Sequence, residues 1–228
     1  MQTPANLPYF SRVGLKPEQR VEVLQNWLAH APDTGCSISV ADSTLAGRTL
    51  FVYAGNMGVA QGMGILIDLA ERLHDRHDIG FLFVGRGSDA KVLRDDASRR
   101  GLGNVVFHDE IEPEEIPGLY AQCHAGIVAL DPRHKTHNIP GKFLTYMQAG
   151  LPVLASINPG NDLINLIETE RVGRVCTDQS VDSLARLVGH LVDDIKADTE
   201  MLARCKALSS RLFAPGAVVN QITAALAR

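Results

Sequence analysis

From Thr49 onward the sequence repeats one unit: a short apolar run, a glycine-bearing turn and an amphipathic helical pattern. That alternation restricts the chain to an α/β fold. The apolar runs fall at residues 50–54, 80–84, 104–107, 126–130, 153–156 and 174–176. Six such strands predict a Rossmann-like three-layer domain, a mostly parallel sheet with helices on both faces and strand order 3-2-1-4-5-6. Ligands of open α/β sheets bind beyond the strand C-termini where the order reverses, here between the first and fourth strands. The loops at 55–61 and 131–140 are therefore expected to line one crevice.

The second of these loops leads into NIPGKFLTYMQAGLPVLASI, residues 138–157. Pro140 suits a helix start, Gly150 its end and Pro152 a stop, with an apolar strand after it. Backbone amides around Gly141, a helix N-terminus and Lys142 then converge where an anion would sit. A lysine in the first helical turn opposes the helix dipole, so a bound phosphate explains Lys142 better than stability does, the alternative being an ordinary solvated lysine. Gly55, Asn56, Met57 and Gly58 follow the first strand, where a glycine turn lets backbone approach a diphosphate closely.

With 228 residues, 45% of them apolar, the chain has enough material for one large core. Its 22 basic and 26 acidic residues nearly balance, and no basic block appears, which argues against a nucleic-acid surface. Cys36, Cys123, Cys176 and Cys205 lack metal-ligand spacing and read as reduced thiols of a cytoplasmic protein. His134 and His137 form an H-x-x-H pair without a third ligand nearby in sequence, so no metal site is expected. No apolar run reaches the roughly 18–20 residues that span a bilayer, and the N-terminus does not read as a signal peptide. P-loop, complete G-x-G-x-x-G and G-x-S-x-G motifs are missing, which disfavours an NTPase, a dehydrogenase and a serine hydrolase.

Residues 1–48 read as an N-terminal segment with one helix at 17–30 followed by a polar linker, and residues 49–228 as the Rossmann-like domain with its C-terminal helices. Leu184, Leu187, Leu191 and Ile195 share one helical face in the tail, and a further amphipathic run covers 217–226.

Three runs carry a family resemblance: PGKFLTYMQAGLPVLA from Pro140, YAGNMGVAQG from Tyr53 and VGRGSD from Val84. In this order and spacing they resemble the C-terminal, donor-binding half of a family 4 glycosyltransferase of the GT-B fold. The bacterial transferases of O-antigen and capsule assembly, N-acetyl-fucosaminyl-type enzymes among them, are the similar group. The resemblance implies a nucleotide-sugar substrate such as a UDP-sugar, no required cofactor, and a separate acceptor-binding domain, either missing from this chain or supplied by a partner chain. It further implies retention of anomeric configuration, a peripheral place at the inner face of the membrane through a lipid-linked acceptor, and a last helix able to pair copies into a homodimer.

By the same resemblance, the arginine and lysine that grip the diphosphate in the family correspond to Asn56 and Gln61, which keep donors but lose charge, leaving Lys142 as the cation. The family's paired glutamates, eight positions apart, correspond to His137 and Thr145. His137 is then a contact to the donor sugar or a phosphate oxygen, and Thr145 accepts at most one ribose hydroxyl. The resemblance also rests the base on the loop of His108, Glu110 and Ile111. From the residues themselves, Arg86 reads as either near the phosphates or an ordinary surface arginine, and Asn161 and Asp162 begin a helix, with Asp162 either a first-turn acid complementing the dipole or an acceptor of a donor-sugar hydroxyl. Lys142 and His137 are the expected catalytic contributors. Two other classes remain open, a non-catalytic nucleotide-sugar-binding subunit and a UDP-sugar epimerase-like protein.

Overall fold

A computed structural model describes the chain apart from residues 1–2, 13, 17–18, 30–31, 33, 134–138 and 228. Six strands form one all-parallel sheet: β1 (Thr49–Ala54), β2 (Ile79–Val84), β3 (Val105–His108), β4 (Ala125–Ala129), β5 (Val153–Ser156) and β6 (Gly173–Cys176). Their order is β3-β2-β1-β4-β5-β6, as the alternation predicts. β1, β2, β4 and β5 are apolar and buried, as strands covered on both faces must be.

Nine helices occur among the described residues. They are α1 (Leu7–Ser11), α2 (Gly64–Arg72), α3 (Ala90–Arg99), α4 (Ile116–Tyr120), α5 (Gly141–Ala149), α6 (Asp162–Glu170), α7 (Val181–Ala197), α8 (Met201–Leu212) and α9 (Pro215–Leu226). Residues of α2, α3 and α7 pack with Phe51, Phe81 and Phe83 on one face of the sheet. Residues of α4, α5, α6 and α8 pack with Leu50, Val52 and Val128 on the other, where Ile38, Val40 and Leu45 join them. α7 buries Leu184 and Leu191 and half-buries Leu187 and Ile195, the expected stripe. α9 leaves Val219, Ile222 and Leu226 exposed. All four cysteines are free thiols.

The helix expected at 17–30 is not found among the described residues of that span, 19–29, which have no helical structure. Their backbone finds partners far along the chain instead. The Leu28 amide donates to Phe213 O at 2.9 Å, Gln221 Nε2 donates to Val23 O at 2.6 Å and Gln148 Nε2 to Ala29 O at 3.3 Å. An isolated helix of this length is marginal in water, so tertiary hydrogen bonds decide. β3 also runs one residue later than its apolar pattern indicates. Asn104 stands outside it with its amide donating to Ala70 O at 2.8 Å, closing the end of α2.

Candidate functional site

β1 and β4 are neighbours in the sheet although β2 and β3 intervene in sequence, so the crevice lies at their C-terminal ends. The β1–α2 and β2–α3 loops form one wall. Gly85 and Gly87 adopt φ of 139° and 149°, and a Cβ on them would lie 2.1 Å from Gly55 O and 2.3 Å from Met57 O. Glycine is therefore required for the two loops to touch. The Gly55 amide donates to Val84 O at 2.9 Å and the Met57 amide to Arg86 O at 2.7 Å, which locks the contact.

Lys142 projects from the first turn of α5 into this wall. Its Nζ lies 3.3 Å from the centre of the Tyr53 ring and 3.9 Å from where a Gly55 Cβ would stand. Burial lowers its pKa from 10.5 to about 7. No carboxylate pairs with it among the described residues. Pro140 precedes the helix in an extended conformation, so α5 starts at Gly141, one residue after the expected proline start. The amides of Gly141 and Lys142 thus belong to the first turn, which lacks intrahelical acceptors. A desolvated cation with no carboxylate partner among the described residues, beside helix-end amides and a glycine turn, has the chemistry to hold an anion with several oxygens.

Asn56 and Gln61 do something other than face a diphosphate with all their donors. Asn56 Nδ2 and the Gly58 amide both donate to Gln61 Oε1 at 3.1 Å, which closes the loop upon itself. Tyr53 Oη donates to Asn56 O at 2.5 Å and holds the ring beneath Lys142. Arg86, expected near the phosphates, is paired at 2.9 Å with Glu110, expected in the base loop, and both side chains are exposed. His108 closes β3 in register with Val84, and its pKa is lowered first by burial and then by Arg94. Ile111 is half-buried against the core.

Thr145 Oγ1 donates to Lys142 O at 2.9 Å, so its proton is engaged within the fold. Asn161 caps α6, its Oδ1 accepting from the Leu163 amide at 3.0 Å, while its Nδ2 is buried without a partner. Asp162 Oδ2 accepts from the Ala5 amide at 2.8 Å. These two residues follow β5, two strands from β1, and serve helix capping and chain docking in this structure. His137, like His134, lies outside the described residues. No cluster of three metal-ligating side chains exists among the described residues, and none of their helices is long and apolar enough to cross a membrane.

Two residues of the crevice escaped sequence reasoning. Tyr53, buried under the ammonium, looks like any core aromatic in sequence. Asp131, at the exit of β4, is largely buried and accepts two hydrogen bonds from the Arg133 guanidinium at 2.8 Å each. Its place directly after a strand at the reversal point was the available signal.

The family model described as "Glycosyl transferases group 1" matches residues 48–194. The chain belongs to the group 1 glycosyl transferases. Among curated relatives, the putative colanic acid biosynthesis glycosyl transferase WcaI of Escherichia coli K12 is 28% identical over 138 residues, 60% of this chain and 34% of that protein. The probable glycosyltransferase WbjE of Pseudomonas aeruginosa is 23% identical over 147 residues, 64% of this chain and 36% of that one. The chain thus spans about a third of the length of the curated relatives it matches. Among solved structures, Anabaena HepE in complex with UDP-glucose superposes with a TM-score of 0.66 at 20% identity, covering 80% of this chain and 50% of that one. WaaG, a glycosyltransferase involved in lipopolysaccharide biosynthesis, gives 0.65 at 18% identity over 92% and 57%. At these identities the structures establish the shared α/β fold.

Proposed function

We propose that this chain is the donor-binding domain of a nucleotide-sugar-dependent glycosyltransferase that takes a hexosyl group from a UDP-sugar. The observation that carries this reading is Lys142, a desolvated ammonium with no carboxylate partner among the described residues, at the α5 N-terminus where the strand order reverses. Breaking a sugar–phosphate bond builds negative charge on the departing diphosphate. Donors already aimed at that charge lower the barrier more than they help ground-state binding. Lys142, the amides of Gly141 and Lys142, and the turn from Gly55 to Gly58 supply them without calling on a metal.

The acceptor is proposed to be a glycan or lipid-linked saccharide of a cell-surface polysaccharide, in line with the roles of WcaI in colanic acid biosynthesis and of WaaG in lipopolysaccharide biosynthesis. A further domain is proposed to bind it, since the chain covers about half of the solved HepE and WaaG structures. The exposed apolar side chains of α9 fit contact with that domain. Retention of anomeric configuration, with the leaving phosphate assisting deprotonation of the acceptor, completes the reading. No general base is required of this chain.

The test is calorimetric titration of the purified chain with UDP, GDP and TDP, repeated with Lys142→Ala. Selective UDP binding that weakens at least tenfold in the variant supports the reading. UDP binding unaffected by Lys142→Ala moves the diphosphate elsewhere and removes the central observation.

A further inference from the structure

α5 ends and α9 begins around one cavity, at the opposite end of α5 from Lys142. At 1.5 Å per residue, the helix runs about 12 Å from Lys142 to its C-cap Gly150. The cavity measures 290 Å³ and lies between Gln148 of α5, the second half of α8 and the start of α9, with Leu28 as a further wall. That is the low end of the range for small-molecule sites, about 300 Å³, so an occupant is a small solute.

The two helix ends have opposite electrostatic preferences: the C-terminus of α5 favours a cation and the N-terminus of α9 an anion. Lys206 supplies the cation. Its stem crosses Gly150, with Cε 2.9 Å from where a Gly150 Cβ would stand, and its ammonium has no ion pair among the described residues. The start of α9 is left without its anion. Its first turn carries no acidic residue, and its N-cap, Ala214, has no side-chain oxygen to offer. Pro215 has no N–H and the Ala217 amide turns back to Ala214 O at 3.0 Å, which leaves the Gly216 amide for an outside acceptor.

Ser209 is an observation independent of the helix ends. It lines the cavity at only 8% exposure, and its hydroxyl makes no hydrogen bond among the described residues. Buried hydroxyls ordinarily have a partner, so an acceptor arriving through the cavity meets a donor that the fold has not used. Ser209 and Ser210 stand three and four residues after Lys206, on the same face of α8. An ammonium, two hydroxyls and a helix-end amide thus approach one volume from two helices, and Leu28, Ala214 and Pro215 give it apolar walls. The donors suit a tetrahedral oxyanion, and the apolar walls suit carbon attached to it.

We propose that this cavity is a second anion site, separate from the crevice, which takes a small phosphomonoester whose phosphate caps α9 and bonds Lys206 and Ser209. The site stands independently of the nucleotide-sugar reading.

The experiment is amide NMR on the whole chain carrying Lys142→Met, which removes the crevice cation. Inorganic phosphate and glycerol 3-phosphate are titrated in turn, with sodium chloride holding the ionic strength. The Ser210 and Gly216 amide resonances are expected to shift saturably with both, with a dissociation constant of about 1 mM or below. Adding Ser209→Ala or Lys206→Gln, each with the dispersed spectrum of the folded chain, is expected to weaken binding by about fivefold or more. Shifts still unsaturated at about 10 mM phosphate overturn the site. Saturable binding that neither substitution weakens overturns the donor set. Binding of inorganic phosphate without binding of glycerol 3-phosphate overturns the assignment to an ester.

Discussion

Replacing Lys142 by methionine is expected to make the protein more stable while impairing its site. The displacement of the lysine pKa from 10.5 to about 7 by burial corresponds, at 1.36 kcal/mol per pH unit, to about 5 kcal/mol against the charged form. Part of the side chain still meets water, and the Tyr53 ring face attracts the cation, so the net penalty is smaller. Methionine fills a similar volume, and a gain of about 2 kcal/mol near pH 6 is expected. At 2–4 °C per kcal/mol for a chain of this size, that is a rise in Tm of roughly 4–8 °C.

The pH dependence follows from the sign of the shift. The unfolded chain keeps Lys142 protonated up to about pH 10.5, whereas the folded chain releases that proton near pH 7. The penalty is therefore complete below pH 7 and fades between pH 7 and 10.5, so the wild type gains on the variant as pH rises. Thermal unfolding of both proteins at intervals from pH 6 to pH 10 measures this. A variant less stable than the wild type at pH 6, or a difference that stays constant across the range, refutes the idea of a desolvated ammonium.

Three further outcomes are expected. UDP affinity should fall as pH rises above 7, because a bound diphosphate favours the protonated lysine. Calorimetry in buffers of different ionisation enthalpy should then detect about one proton taken up per ligand at pH 8–9. Gly87→Ala, which forces a Cβ to within 2.3 Å of Met57 O at φ 149°, should cost about 2–4 kcal/mol in urea unfolding and abolish nucleotide binding. Tyr146→Phe removes a buried hydroxyl that bonds Val52 O at 3.1 Å and Ile127 O at 3.3 Å, and should cost about 1–2 kcal/mol by the same assay.

The sheet was legible because its signal is local. The runs of β1, β2, β4 and β5 are continuously apolar, which fits a parallel sheet covered on both faces, and strand order follows from the right-handed crossovers that such units adopt. The non-helical path of residues 19–29 was not legible, since its partners Phe213 and Gln221 lie almost a chain length away and outweigh a local amphipathic spacing. The place of Lys142 in the first turn of α5, in conflict with the helix dipole, was legible. Its depth was not, because the Tyr53 ring beneath it comes from another strand. Asn56 and Gln61 show the opposite limit: the family resemblance gave them a ligand role, and the fold uses Gln61 Oε1 to close the loop.

β1 is joined to β2 by six register pairs but to β4 by only two, Phe51 with Ala125 and Val52 with Gly126. The register pairing ends there, and Tyr146 bonds a carbonyl from each strand. The two three-stranded halves of the sheet, its lobes, thus meet along a narrow seam with the apolar core continuous across it, and the crevice is the open end of that seam. A ligand spanning Gly55 on one lobe and α5 on the other acts as a clasp. Hydrogen exchange at residues 51–54 and 125–129 should report it, slowing on nucleotide binding more than exchange within either lobe. Substrate affinity and the cohesion of the two lobes would then be one quantity measured in two ways.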